Sequence, residues 1–282
     1  MPELPEVEIT ARLLDGALQG AVVESVRAPG INTLKTFAPP LAQLSGRTLP
    51  RIARRGKLFT IEFDDDLTLL IHLMSSGRLQ LFGTPAGPRD RTSRLLIGLE
   101  DGRQLRLREF GTKQAAWAKL LVTHDLGDDE VLARLGPEAW PAPPADFAQR
   151  VSVARPLHAV LRDQHVIAGI GRSWVDEILW TAQLSPFKRG ADLSSEEVAV
   201  LSDAIAANLE RAIEHYGRTV QLPVPDKLPM PLLVHRHEGE PCPRCTTTLE
   251  SVNFDAQVIA YCPHCQTGGR VLKDRRLSRL LK

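Results

Sequence analysis

The chain opens MPELPEVE, which places a proline at position 2 and carboxylates at positions 3, 6 and 8. With the initiator methionine removed, Pro2 becomes a free secondary amine. A lysine side chain, with a pKa of about 10.4, must be perturbed before it can attack carbon, whereas an α-amino group titrates close to neutral pH. Against an aldehyde-like carbon a secondary amine forms an iminium ion. Glu3 beside it, and Glu6 one helical turn on, can deliver and collect the protons that sugar-ring opening and elimination require. The same residues also read as an ordinary acidic helix start.

A second chemical signal lies near the other end. All four cysteines fall in Cys242-x2-Cys245 and Cys262-x2-Cys265, with sixteen residues between the pairs. This is zinc-ribbon spacing: two turns each present two thiolates, and Zn²⁺ takes four at tetrahedral corners. The intervening TTTLESVNFDAQVIAY is β-prone, as a zinc hairpin requires. Two disulfides or a redox pair are the rival readings; no oxidoreductase pattern surrounds the pairs. One structural Zn²⁺ is the expected cofactor, and a site filled by four thiolates has no open position for chemistry.

Bulk properties narrow the class. The 282 residues suffice for one large domain or two ordinary ones, and 43 % hydrophobic with 24 % charged residues is a globular balance. No run of about 18 apolar residues suggests a membrane span, and no basic-then-apolar leader is apparent, so a cytoplasmic, nucleoid-associated protein in a reducing compartment is expected. The net charge of +1 hides local clusters. RTLPRIARRGK carries Arg47, Arg51, Arg54, Arg55 and Lys57 with no acid, and RVLKDRRLSRLLK carries six bases against Asp274. Such clusters fit a polyanion-binding face, although any single run is commonly just a solvated surface.

These groups need elements to position them. PEVEITARLLDGALQG reads as a helix, with Pro5 in the first turn, Val7, Ala11, Leu14 and Leu18 on one face, and Gly20 as the stop. From Val22 to Lys119 the period changes to short strands split by turns, FDDDL and Asp101-Gly102 among them. This predicts an antiparallel sandwich or barrel with the opening helix packed on it. LGPEAWPAPPADF reads as a linker. Helices follow around 146–153, 157–164 and in RSWVDEILWTAQL, then a long one from Ser194, whose spacing to Glu197 is that of a capping box, to a stop at Gly217. QLPVPDKLPMPLLV, with four prolines, excludes regular structure. The fold class is therefore α+β and multi-domain. The predicted division is a catalytic β-sandwich domain over 1–120, a linker over 121–144, a helical domain over 145–225, and a zinc finger with basic tail over 232–282.

Taken in order, MPELPEVE, Lys57 in RRGKLF, IHLMSSGRL, LREFG, DQHVIAGIGRSWVDEILW and HEGEPCPRC…YCPHCQ resemble the formamidopyrimidine-DNA glycosylase / endonuclease VIII family of base-excision repair enzymes. The likeness covers nearly the whole chain, and the start is closer to the formamidopyrimidine branch. It implies a helix-two-turn-helix DNA-binding domain between the sandwich and the finger, and damaged double-stranded DNA as the partner of a monomeric enzyme. It also implies that Pro2 attacks C1′ of a damaged nucleotide, that the base leaves, and that a Schiff base resolves by β,δ-elimination. Glu3 would carry protons, Glu6 would support it, and Lys57 and His72 would meet phosphate. An excised base must first be flipped from the stack. Arg108 and Phe110 would then fill the gap, Arg108 on the orphaned base and Phe110 as a wedge. Gly169, Gly171 and the following helix end would approach a phosphate, while Asp176 and Glu177 would stabilise their helix.

Several positions depart from the family pattern. The wedge methionine falls at Ser75, with Met74 one place early. The Asn after GIG is Arg172, the Lys before DQ is His158, and the finger Arg is Gln257, with Arg270 or Arg218 as candidate compensation. The loop that covers 8-oxoguanine is replaced by GRTVQLPVPDKLPMP. The expectation is retained amine chemistry on a lesion other than 8-oxoguanine, the alternative being a non-catalytic damaged-DNA-binding protein of the same fold.

Overall fold

The computed structural model describes residues 2–87, 89–110, 114–254 and 257–272. They form two compact units, Met1–Arg134 with Ile213–Pro229, and Leu135–Ala212 with Met230–Lys282.

The first unit begins with α1 (Leu4–Leu18), whose Val7, Ala11, Leu14 and Leu18 are buried. Glu3 and Glu6 close a capping box at its start, and Gly20 at φ +80° turns the chain away at its end. Eight strands follow: β1 (Val23–Arg27), β2 (Arg51–Arg55), β3 (Leu58–Phe63), β4 (Leu67–His72), β5 (Gly77–Phe82), β6 (Ser93–Leu99), β7 (Gln104–Glu109) and β8 (Trp117–Val122). They build two antiparallel sheets, ordered β1-β6-β7-β5 and β2-β3-β4-β8. Alternate Leu, Ile and Phe side chains of both sheets share one core with the apolar face of α1. Asp65 and Asp66 both take positive φ between β3 and β4, the requirement of a tight I′-type hairpin turn. The unit adds α2 (Glu130–Ala133). Strand β2 is absent from the sequence expectation, which treats RIARR only as charge. Its one buried residue, Ile52, is too faint an alternation among four polar or small neighbours to announce a strand.

The second unit holds α3 (Phe147–Val151), α4 (Leu157–Arg162), α5 (Arg172–Thr181) and most of α6 (Ser195–Thr219), then the hairpin β9 (Glu250–Phe254) and β10 (Gln257–Tyr261), and α7 (Pro263–Thr267). Ser194 and Glu197 make both hydrogen bonds of the capping box. Helix α6 does not stop at Gly217 but runs to Thr219. A lone helical glycine costs about 1 kcal/mol, which the burial of Ile213 and Tyr216 readily offsets. The proline-rich stretch read as a linker is built in: Ala168 N–H donates to Pro137 O, Ala139 N–H to Ala168 O, and Trp140 Nε1 to Glu210 at 2.7 Å. The basic tail beyond Leu272 lies outside the described residues.

Candidate active site and zinc centre

In the first unit the start of α1 gathers the carboxylates. Pro2 is buried, and Glu3 and Glu6 are 1 % and 3 % exposed. The Glu3 side chain accepts the Glu6 backbone N–H, and the Glu3 backbone N–H donates to Glu6 Oε2 at 2.8 Å. The other Glu6 oxygen, Oε1, accepts the Tyr216 hydroxyl at 2.7 Å. Burial, reinforced by the charges of Glu6 and Glu3, pushes the Tyr216 phenol well above its ordinary range, so Tyr216 stays a donor. Glu6, with both oxygens engaged, is held in one orientation. Glu3, next in chain to Pro2, is the second buried carboxylate of the pair. Tyr216 is a residue that sequence reasoning missed; nothing in α6 marks it as the partner of a side chain 210 residues earlier.

Lys57 follows Gly56 in the turn between β2 and β3. His72, at the end of β4, has its pKa lowered to about 4 by burial and then by the Lys57 charge. It stacks on Trp117, its register partner on β8, with ring centroids 5.7 Å apart. Its Nδ1 accepts the Met74 backbone N–H at 2.9 Å. A neutral ring that accepts at Nδ1 carries its proton on Nε2. His72 can therefore meet a phosphate oxygen as a neutral donor and not as a cation.

The two expected gap-filling loops differ in character. Met74 is half-buried with φ +50°, and the exposed tip is Ser75. Gly77 is obligatory behind it, since a Cβ there would lie 2.4 Å from Leu73 O. Arg108, on β7, donates to Thr92 Oγ1, Gln80 Oε1 and Asp226 Oδ1. Its guanidinium carbon lies 4.7 Å from the ring centre of Phe110, which is 41 % exposed. Gly111, expected to shape that tip, lies outside the described residues. Glu109 accepts the N–H groups of Ala115 and Ala116 at 2.7 and 3.0 Å and so closes the base of the segment.

In the second unit Gln164 clamps the glycine loop. Its Oε1 accepts the Gly169 N–H at 2.9 Å and its Nε2 donates to Ile170 O at 2.8 Å. Gly169 has φ +110°, Gly171 is the N-cap of α5, and Arg172 opens the helix. The Gly169 N–H is spent on Gln164, so it is Gly171, Arg172 and the positive end of α5 that suit an anion there. Asp176 and Glu177 serve neighbouring segments more than their own helix. Glu177 accepts the N–H groups of Leu233, Val234 and His235 at 3.0, 2.9 and 2.9 Å. Asp176 accepts from His235 Nδ1 at 2.7 Å and from Ala260 N–H at 3.1 Å. Gln257 opens β10 and shares a small pocket with His158, Arg162, Phe187 and Ile259. Two of the departures from the family pattern, His158 and Gln257, thus line one pocket; His158 Nε2 lies 3.3 Å from Asp176 Oδ1, and Gln257 Oε1 is buried without a hydrogen-bond partner.

The four cysteine sulfurs lie within 4.8 Å of one another. The Cys245–Cys262 and Cys245–Cys265 sulfurs are 3.4 and 3.5 Å apart, far beyond a disulfide bond of about 2.05 Å. This donor set fits zinc, and Cys242, Cys245, Cys262 and Cys265 hold one structural Zn²⁺. The β9–β10 hairpin runs between the two pairs. Trp180 of α5 donates its Nε1–H to Cys242 Sγ at 3.3 Å, tying the centre to that helix.

Comparison with known proteins agrees with this layout. Residues 1–112 match the formamidopyrimidine-DNA glycosylase N-terminal domain, 135–224 the formamidopyrimidine-DNA glycosylase H2TH domain, and 239–268 the zinc finger found in FPG and IleRS. A formamidopyrimidine-DNA glycosylase of Herpetosiphon aurantiacus is 33 % identical over 94 % of this chain and 100 % of its own. One of Latilactobacillus sakei is 34 % identical over 94 % of this chain and 98 % of its own. Among solved structures, Lactococcus lactis Fpg in complex with abasic-site DNA superimposes with a TM-score of 0.84 at 27 % identity, over 94 % of this chain and 100 % of the other. The same species' protein with N7-benzyl-Fapy-dG DNA gives 0.85 at 28 %, with the same shares covered.

Proposed function

The chain belongs to the formamidopyrimidine-DNA glycosylase family, and we propose that it is a bifunctional DNA glycosylase and abasic-site lyase of base-excision repair. The Pro2 nitrogen, freed by loss of Met1, attacks C1′ of a flipped nucleotide. The base departs with its bonding electrons, the sugar ring opens, and a Schiff base links Pro2 to the deoxyribose carbon. Loss of the proton at C2′ then expels the 3′ phosphate, a second elimination expels the 5′ phosphate, and water returns the amine. Glu3 moves the protons of ring opening and Glu6 holds the site's charge. Lys57 and the neutral His72 meet phosphate, as do Gly171 and Arg172, while Gly169, its N–H held by Gln164, shapes the loop that leads to them. Met74, Arg108 and Phe110 support the vacated space, and Gln257 stands where the family places a cation. The enzyme acts as a monomer associated with the nucleoid.

One observation carries this reading: two carboxylates, both buried, are fixed by mutual hydrogen bonds at the helix start that follows the amine. A surface helix start needs no such burial. The substrate we infer is a lesion other than 8-oxoguanine, such as a ring-opened purine, an oxidised pyrimidine, a bulky adduct or a bare abasic site. Supporting this, the segment in place of the lesion-covering loop is proline-rich and pinned through Val224 and Asp226 to β5. The test is borohydride trapping on duplexes bearing an abasic site, a ring-opened guanine, an oxidised pyrimidine or 8-oxoguanine. The expected result is a covalent adduct mapped by mass spectrometry to Pro2, weakest for 8-oxoguanine. Tight, salt-dependent binding with no adduct on any duplex would replace this reading with that of a non-catalytic binder.

A further inference from the structure

Arg108 is held from three sides. Its Nε donates to Thr92 Oγ1 at 2.9 Å, and its Nη1 to Gln80 Oε1 at 3.0 Å and Asp226 Oδ1 at 3.2 Å. The rings of Phe82 and Phe110 lie 5.5 and 4.7 Å from its guanidinium carbon. Nη2 is the remaining donor group. A long cation on a strand surface does not need this many contacts merely to stay solvated.

Asp226 is the unexpected member. It lies in the proline-rich strap that follows α6, within the same unit as β5 and β7. The strap is itself anchored: Val224 is 2 % exposed, Gln80 Nε2 donates to Val224 O and, at 3.0 Å, to Asp226 Oδ1, and Arg78 Nε donates to Asp226 O at 2.8 Å. Arg78 and Arg108 are register partners on adjacent strands. One strap residue therefore touches both arginines, one through its carbonyl and the other through its carboxylate. Removing the carboxylate leaves the strap's other anchors in place.

A guanidinium offers donors and no acceptors. It distinguishes bases by which acceptors they turn toward it, and only if its own direction is fixed. We propose that Asp226 is a specificity-determining positioning residue: with Gln80 and Thr92 it aims Arg108 so that Nη2 reads the base opposite the lesion. This rests on the glycosylase reading above, with Arg108 facing the orphaned base. It makes the strap a determinant of opposite-strand preference.

The experiment is single-turnover borohydride trapping on four duplexes, with the same abasic site opposite dC, dT, dG or dA. Wild type is compared with Asp226→Ala, Asp226→Asn, Thr92→Val and Arg108→Ala, each checked for folding by circular dichroism. Wild type is expected to rank the four bases. Asp226→Ala is expected to reduce the ratio of best to worst rate by about tenfold, toward that of Arg108→Ala, the size of one good guanidinium–base contact. Asp226→Asn, which keeps an acceptor, retains part of the ratio. Thr92→Val removes a different anchor without touching the strap and lowers the ratio as well. A wild-type ratio in Asp226→Ala overturns the proposal, as does an equal rate gain on all four duplexes, which would make the carboxylate a simple repulsive charge. Wild type without any base preference also overturns it. Wild type that traps no duplex overturns the glycosylase reading and takes this proposal with it, whereas trapping with an unchanged ratio overturns this proposal alone.

Discussion

Tyr216 on α6 donates its hydroxyl proton to Glu6 on α1 at 2.7 Å, both side chains being buried. The contact fixes the carboxylate that in turn holds the Glu3 backbone N–H. Replacing Tyr216 with Phe keeps the ring and leaves a buried carboxylate oxygen short of a donor. The expected cost is about 1–3 kcal/mol in urea unfolding. Trapping of abasic DNA should slow while duplex affinity stays near wild type. An unchanged trapping rate would mean that the Glu6 orientation does not matter to the chemistry.

His72 supplies a pH prediction. Its folded pKa of about 4 lies below the ordinary 6.5, because burial and the Lys57 charge disfavour the imidazolium. Between these two values the unfolded chain binds more protons at this side chain, so stability rises with pH across that window. The contribution is complete above pH 6.5 and is lost as the pH falls toward 4, by at most about 1.4 kcal/mol per pH unit. The His72 ring resonance should show a midpoint near pH 4 by NMR, and His72→Gln should flatten the stability slope between pH 4 and 6.5. A midpoint near 6.5 would contradict the neutral-donor role.

Much of this was legible in the sequence, for reasons that differ by residue. The cysteine pairs and the Ser194–Glu197 capping box are local patterns, in which spacing alone brings the interacting atoms together. The sandwich follows from alternating apolar residues between turns. Strand β2 was not legible, because three of its five residues are arginines and Ile52 is its one buried apolar residue. Tyr216, Gln80 and Asp226 were not legible either. Each acts on a residue more than a hundred positions away or through a strap whose course proline content alone does not fix. Asp176 and Glu177 were legible as helical but not as anchors, since their partners are mostly backbone N–H groups that carry no sequence signature, and the His235 ring that meets Asp176 lies 59 residues away.

Glu177 should therefore behave as a keystone of the second unit. It is fully buried and accepts three backbone N–H groups from residues 233–235, just before the zinc finger. Glu177→Ala leaves those donors unmet, and at about 1–3 kcal/mol for each unsatisfied group the finger should detach or melt. Thermal melts and hydrogen exchange at Leu233–His235 would register this, with a smaller loss for Glu177→Gln, which keeps one acceptor oxygen. Exchange at those amides unaltered by Glu177→Ala would remove the anchoring role.

The basic run around β2 separates structural from DNA-facing charge. Arg54, with a side chain 6 % exposed, donates from Nε to Glu8 Oε2 at 2.6 Å, while Arg12 holds the other oxygen of the same carboxylate at 2.6 Å. Arg54 thus ties β2 to α1, and its charge is already matched. Arg54→Met should cost about 3 kcal/mol, the lower end for breaking a buried pair, because Arg12 continues to compensate Glu8. A residue spent on Glu8 releases no counterion from DNA, so the slope of log affinity against log salt should stay at the wild-type value, whereas loss of a phosphate-contacting cation lowers it by about one. A fall of that size in Arg54→Met, at unchanged stability, would move Arg54 from the scaffold to the DNA-binding face.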